Sequence, residues 1–485
     1  MSISSAISNA ISGLTAVSRG TEVVSSNIAN ALTPGYARRE LDLSPRLAER
    51  GGGVGLDGVS RAINAGLLAD NRLAEADVGA STTLSTFHAA IERIFGTGTE
   101  ASSLGQVLTA FDSALVSAAS RPENEVRLGN VLGSATDLAD KLNQISRAIQ
   151  TERSSAEEAI RKDVSRLDAA LGQVATLNKQ IVSLAAQGKD VSALVDTRQA
   201  AIDGIAEIVP VKEVPRENGR IALFTSGGAI LLDGSDPARI TFDSVPGLTP
   251  EMTVGNGALT RLSFNGKPLT EGQMTMFGGG TIGANFAIRD ELAPACQRQI
   301  DAFARDLYDR LSATNVDPSL NAGGPGFFTD AQAAFDAAQE TGFAGRIAVT
   351  TRVDPAAGGD LWRIRAGINA AGPGNAGDSA VLGNLSAALA ASRSPASTAL
   401  SQTPRSLQTL SAELSSNAAT KRVQAEATAL QDSTHRVSLQ TALLADGVDT
   451  DKEMEGLLAL ERAYSANAKV FQTANDMLDA ILRLT

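Results

Sequence analysis

The sequence predicts a mainly helical α+β protein. Its expected parts are paired N- and C-terminal coiled-coil helices, a long-helix bundle body and an inserted β-rich domain. Three observations predict this. Apolar residues recur at helical spacing at both ends of the 485-residue chain. Long stretches of the same period, one of them free of proline from Asn124 to Ala186, lie between the ends. At Pro210 the pattern changes to short β-type runs separated by Gly, Asp, Asn and Pro. Aromatic residues make up only 4% of the chain, so cores must be filled by Ala, Leu, Ile and Val, which suits long helices.

The first helix is expected over Met1–Ala31. Ile3, Ile7, Ala10, Leu14, Val17, Thr21, Val24 and Ile28 alternate at steps of four and three, the signature of a helix that coils against others. Beside this seam Ala6, Gly13, Gly20 and Asn27 share one heptad position. Glycine inside a helix costs roughly 1 kcal/mol against alanine, so two at one position suggest a face where another backbone comes close. Thr33-Pro34-Gly35-Tyr36 reads as a type II turn ending the helix. Tyr36 opens an extended stretch through Leu43, and Gly51–Gly55 reads as a linker. The pattern is helical again from Val59, with helices over Ala62–Phe95, Leu104–Ser120 and Asn124–Ala186 and a short one over Val195–Val209. The third of these would be about 90 Å long if unbroken. After Pro210, strands are expected at Val211–Val214, Ile221–Thr225, Ala229–Leu232, Ile240–Phe242, Ala258–Phe264 and Gln273–Phe277. A helix over Ile288–Thr314 follows, with Pro294 as a possible kink. Ile347–Thr351 and Leu361–Arg365, the latter holding the only tryptophan, Trp362, read as a second β element. Val381–Ala391 and Leu407–Ala445 read as helices, the second with core positions from Leu407 and Leu414 on to Val423, Leu430, Val437 and Leu444. In the last helix, Asp446–Thr485, Leu457, Tyr464, Phe471 and Leu478 recur every seven residues, with Leu460, Ala474 and Ile481 between. The expected division is therefore nested: residues 1–40 with 446–485 as a terminal coiled coil, 41–210 with 284–315 and 380–445 as the helical body, and 211–283 with 316–379 as the β-rich insert.

Composition narrows the function classes. The net charge is −12 and no Lys/Arg cluster stands out, which argues against nucleic acid and anionic membrane surfaces as partners. No run of eighteen apolar residues exists, so no membrane-spanning helix is expected. A single cysteine, Cys296, excludes an internal disulfide framework. The N-terminus lacks a basic n-region and an unbroken apolar h-region, so the expectation is a cytoplasmic protein unless export uses another route. His88 and His435 both fall inside helical patterns and read as surface or seam residues. Metalloprotease, nucleophile-elbow and phosphate-loop motifs are missing. The acids around Asp449 read as a helix start, with Thr450 and Glu453 as a capping box, rather than as a cation loop. No catalytic, cofactor-binding or metal-ligating residue is assigned. The seam residues Ile3, Ile7, Leu14, Val17, Val24, Ile28, Leu457, Tyr464, Phe471, Leu478 and Ile481 are assigned to assembly. A helix apolar on so wide a face as the last one needs more than one neighbour.

Ser12-Gly13-Leu14, Ser26-Asn27-Ile28-Ala29-Asn30 and Thr33-Pro34-Gly35-Tyr36 resemble the N-terminal signature of bacterial flagellar rod, hook and hook-associated axial proteins. Gly447-Val448-Asp449, Glu453-Met454 and Ala463-Tyr464 resemble their C-terminal signature, with Glu461-Arg462 where the family has a glutamine before Ala-Tyr. Asn27, Asn30, Pro34, Gly35, Tyr36, Gly447, Met454 and Tyr464 carry the motif. The long helical body, Asp196-Thr197-Arg198 and Arg289-Asp290-Glu291-Leu292 make the hook-associated branch the nearest match. The resemblance implies a structural subunit, not an enzyme, that is exported through the flagellar type III apparatus and works outside the cell. It further implies self-association in a ring, contact with hook protein on one side and with the next hook-associated protein on the filament side, and an export chaperone on the C-terminal helix. A hook or rod subunit is the alternative within the family. An enzymatic or adhesive insert is the alternative outside it.

Overall fold

The computed structural model describes residues 3–33, 35–46, 52–96 and 100–482. The chain opens with α1 (Ile3–Asn30), the hairpin β1 (Arg38–Pro45) and β2 (Val54–Ala62), and then α2 (Ala65–Phe95), α3 (Leu104–Ser120), α4 (Glu125–Ala185) and α5 (Ser192–Ala206). The hairpin departs from the expectation of a linker and a helix from Val59. Gly52 and Gly53 take positive φ of 70° and 97°, Arg46 N–H donates to Gly53 C=O, and Leu41 pairs with Val59 across the strands. The glycine run is a hairpin loop rather than a joint. Gly51 lies outside the described residues.

The long helix is set by its ends. Asn124 caps α4 by accepting from Arg127 N–H, and no proline interrupts the 61 residues that follow. One side of α4 then feeds two cores in succession. Leu128, Leu138, Leu142 and Ile149 pack with α2, α3, the later helices and the aromatic cluster Phe111, Phe327, Phe328 and Phe343. Ile160, Leu167, Leu171 and Val174 pack with α5 and the first β segment. Between the two cores sits a buried ion cluster. Arg289 pairs with Glu157 at 2.7 Å and with Asp290 at 2.8 Å, and Arg153 donates to the carbonyls of Arg289 and Thr249 at 2.8 and 2.9 Å. The guanidinium of Arg289 lies 4.8 Å over the Phe286 ring, so each face of the charge is occupied.

The β segment comprises β3 (Val211–Pro215), β4 (Ile221–Thr225), β5 (Ile230–Asp233) and β6 (Asp236–Pro237) in one antiparallel sheet, and β7 (Ile240–Thr241), β8 (Ser263–Phe264) and β9 (Lys267–Pro268) in another. Of Ala258–Phe264 only the last two residues form strand. Residues 273–277 are helical, not extended: α6 (Glu271–Met274) begins with a Thr270–Gln273 capping box and runs into a 3₁₀ turn at Thr275–Phe277. The following helix starts earlier than Ile288. α7 (Gly280–Ala287) and α8 (Ala293–Leu311) are joined by a π turn over Ile288–Leu292, in which Ala293 N–H reaches Ile288 C=O. That wider turn stands directly before Pro294, whose missing N–H would otherwise break the ladder.

β10 (Phe328–Asp330) pairs with β11 (Ile347–Val349). Leu361–Arg365 is not a strand: Trp362 precedes the single turn α9 (Arg363–Ala366), and the Arg363 guanidinium lies 4.5 Å over its ring. Segments 211–283 and 316–379, grouped above as one insert, pack on different cores, the second on that of the helical body. The chain closes with α10 (Ala380–Ala390), α11 (Leu407–Ala445) and α12 (Thr450–Leu482). α11 lies along α2, tied by Arg422–Glu92 and Arg436–Glu75. Its core reading holds only for the first third. Leu407, Leu410, Leu414 and Ala418 are buried, whereas Val423, Leu430, Val437 and Leu444 are 50–72% exposed. None of the described helices is long and apolar enough to cross a membrane.

Candidate assembly site

The two ends of the chain meet as an antiparallel pair, α1 on α12. Their register follows from the small-residue column. A Cβ at Gly13 would lie 2.7 Å from the Asn467 side chain, and one at Gly20 would lie 3.1 Å from that of Leu460. Asn27, a further seven residues on, donates to Glu453 at 3.1 Å. Each step of seven forward on α1 is a step of seven back on α12. The same register puts Ala6 opposite Ala474, which is 2% exposed. The glycines are where they are because the partner helix comes that close.

The pair is locked to the hairpin at its body-proximal end. Asn27 is 1% exposed and fully used: its amide donates to Arg39 C=O at 2.9 Å as well as to Glu453, and its oxygen accepts from the Tyr36 hydroxyl at 2.9 Å and Arg39 N–H at 3.0 Å. Glu453 is 4% exposed and also accepts from Arg38 Nε at 2.7 Å. The hydrogen bond that Arg38 donates to Glu453 raises the Arg38 pKa above its usual value. The hairpin in turn grips the body: Arg39 and Arg61 both pair with Asp196 of α5, at 3.2 and 2.7 Å, and the Arg39 guanidinium lies 4.9 Å over the Tyr36 ring. Tyr36 N–H donates to Thr33 C=O at 3.2 Å and Gly35 takes φ +78°, so the chain reverses here as a Gly at that position allows.

The capping-box reading of Glu453 is therefore wrong. Asp449 caps α12 instead, accepting from the N–H groups of Asp451 and Lys452 at 3.1 and 3.2 Å, and these donors hold its carboxyl below the usual range. Glu453 is the long-range partner of Asn27 and Arg38. A local signal existed: Glu453, Leu460, Asn467 and Ala474 repeat at seven residues, as Ala6, Gly13, Gly20 and Asn27 do, and a glycine column needs a counterpart.

The seam residues fall into three groups. Val17 is buried. Ile3, Ile7, Leu14, Val24, Ile28, Leu457 and Phe471 are half-buried on the flanks of the pair. Tyr464, Leu478 and Ile481 are 52%, 38% and 51% exposed. Of the motif residues, Asn30 is half-buried and donates to Ser26 C=O at 2.9 Å, Gly447 lies between α11 and α12, Met454 is exposed, and Pro34 lies outside the described residues. A groove of about 550 Å³ runs along the pair between Val17, Thr21, Leu457, Leu460 and Tyr464. His88 and Cys296 both lie near Lys421. Burial pushes the Cys296 thiol up to about 11, and burial next to Lys421 lowers the pKa of His88.

Comparison with known proteins finds flagellar relatives for three parts of the chain. Residues 7–36 match the flagella basal body rod protein family, residues 439–484 the flagellar basal body rod FlgEFG protein C-terminal family, and residues 88–326 the helical domain of flagellar hook-associated protein FlgK. Rod-type matches at both ends with a hook-associated match between them make the chain similar to the flagellar hook-associated proteins. Flagellar hook-associated protein 1 of Escherichia coli is 25% identical over 300 residues, 56% of this chain and 54% of that protein. Its counterpart in Bacillus subtilis is 24% identical over 296 residues, 55% and 58%. The chain thus spans about half the length of the curated relatives it matches. A solved structure, the flagellar hook junction protein FlgK from Burkholderia pseudomallei, aligns over 54% of this chain and 46% of that one, with a TM-score of 0.45 and 19% identity.

Proposed function

We propose that the chain is a structural subunit of the bacterial flagellum, forming the junction between hook and filament, and that it assembles through α1 and α12. The observation that carries this reading is the terminal pair itself. One face of α12 is filled by α1, while Tyr464, Leu478 and Ile481 remain outside with an open apolar groove beside them. A helix with a second apolar face calls for a further helical neighbour. An exposed apolar face of this kind fits a subunit that is capped by a chaperone before export and by its neighbours after it. On this reading the chain leaves the cytoplasm through the flagellar type III apparatus, forms a ring, meets hook protein at one edge and meets the next hook-associated protein at the other. The chain is read as a structural protein and not as an enzyme.

A rod or hook subunit is the second reading, since both terminal segments match rod-protein families. The hook-associated match across residues 88–326 weighs against it. A density map of isolated hook–filament junctions decides between them. The expected result is a ring of this chain between hook and filament. Its presence along the whole hook, or within the rod, would sink the proposal.

A further inference from the structure

α11 has two apolar faces. One packs on α2 through small residues such as Ala425 and Ala429. The other points away from the molecule: Val423, Leu430, Val437 and Leu444, at steps of seven, are 53%, 70%, 50% and 72% exposed. Ala427, Thr434 and Thr441 fall four residues after the first three, which makes the stripe a heptad seam about 30 Å long. The hydroxyls of Thr420, Thr434 and Thr441 donate to their own helix, to the carbonyls of Ser416, Leu430 and Val437 at 2.9, 2.7 and 2.8 Å, which leaves their methyl groups to the stripe. The nearest charges are used elsewhere: Glu426 pairs with Arg422 and Arg436 with Glu75.

Among the described residues, the other long helix face with large apolar residues left exposed belongs to α12. Its column Leu457, Tyr464, Phe471 and Leu478 has the same step and span, with Tyr464 and Leu478 exposed and Leu457 and Phe471 half-buried beside α1. Within one copy α12 lies along α1 and not along α11. We propose that the outer seam of α11 receives the open column of α12 from a second copy of this chain. The inference rests on the junction reading above and names the contact that would build its ring. When each copy gives α12 to one neighbour and receives it from another, the contact is head-to-tail, and such a contact closes into a ring or continues as a helix rather than stopping at a pair. Three heptads bury less than the roughly 800 Å² per partner of a standard stable interface. The contact is therefore weak in a free pair and cooperative in an array.

The test places the photo-reactive residue benzoylphenylalanine at Leu430 of the full chain, in a flagellated host carrying a second, tagged copy, followed by mass spectrometry of the isolated flagella. The expected adduct joins position 430 to a peptide from Thr450–Leu482 of the other copy. An adduct to α11 of the other copy, an adduct to a different protein, or no adduct while the chain is present in the flagella overturns the inference. If the chain is missing from the flagella, the junction reading fails by itself, and the same probe in the purified chain at high concentration reads the contact: the same α12 adduct supports it and none overturns it. The double variant Leu430→Asp with Leu444→Asp should abolish that adduct's counterpart at Tyr464 while keeping the helical content, since both side chains are exposed. A persisting Tyr464 adduct to α11 counts against it.

Discussion

Glu453 is buried on α12, yet both of its partners sit more than four hundred residues away, on α1 and the first strand. A buried carboxylate without donors would be expensive, so the Asn27 amide and the Arg38 guanidinium are what allow it there. Removing it as Glu453→Ala leaves Asn27 short of one bond and frees Arg38, which is partly exposed and regains water. The expected cost is roughly 2 kcal/mol, confined to the terminal pair. Hydrogen exchange would show faster exchange in α1 and α12 and unchanged protection in α4; equal loosening throughout would contradict the assignment. Asp301 makes a different prediction. Burial pushes its carboxyl up to about 6 from 3.8, against the pull of Ala344 N–H, Gly342 N–H and the Gln297 amide, at 2.8, 2.7 and 2.9 Å. A raised carboxyl stabilises the fold fully below pH 3.8 and loses that contribution as pH rises through 6. The loss is about 3 kcal/mol at most. Asp301→Asn should flatten this part of the stability profile between pH 4 and 7 at a lower baseline, which urea titrations at several pH values would read. An unchanged slope would remove Asp301 as its source.

At the scale of elements, α4 joins two cores, and the α7–α8 stretch and α2 run between them as well. Leu167 is fully buried in the core that holds the first β segment, and Leu142 is fully buried in the other. Leu167→Ala should cost about 2–5 kcal/mol, felt first in its own core. Trp362 belongs to the territory of the other core, where its neighbours Leu361 and Ile364 pack. The helical signal by circular dichroism should therefore begin to fall before Trp362 fluorescence changes, and a rigid shift of both together would show one cooperative unit. The long helices were legible because their period repeats many times and their ends carry local signals. Ser103 and Arg121-Pro122 bound α3, and Ser406 caps α11. The short elements were not. At 273–277 and 361–365 a few apolar residues fit a strand as well as a turn of helix, and packing decides. The outward turn of Val423 to Leu444 was also invisible, because a heptad stripe looks the same whether it faces a core or a neighbour. The matching seven-residue columns of the two ends could be read from the chain, but the register that sets Glu453 against Asn27 could not, since either column can slide by a heptad.

Taken whole, the molecule has a large two-core body and a thin terminal pair. α12 buries only Glu453 and Ala474 among its described residues, and α1 buries mainly small side chains. Two helices packed on glycine and alanine bury little apolar surface, and an isolated pair of this kind is marginal in water. Its ties to the body are the two arginines on Asp196 and a contact of Asn64 with Asp446 at 3.4 Å. Ion pairs of this partly exposed kind contribute little each. Brief proteolysis of the free chain should therefore remove α12 by cuts from about Asp446 onward, including Arg462 and Lys469, which lie exposed on it. α1 should then be lost up to about Arg38, because its glycine face has no other cover. The hairpin should stay with the body through Asp196, leaving a resistant fragment that mass spectrometry would bound near Arg38 and Ala445. The same cuts should be slow in intact flagella, where neighbours cover both helices. If α12 in the free chain resists as long as α4 does, the ends are as stable as the body, and the argument that they are completed only by assembly fails.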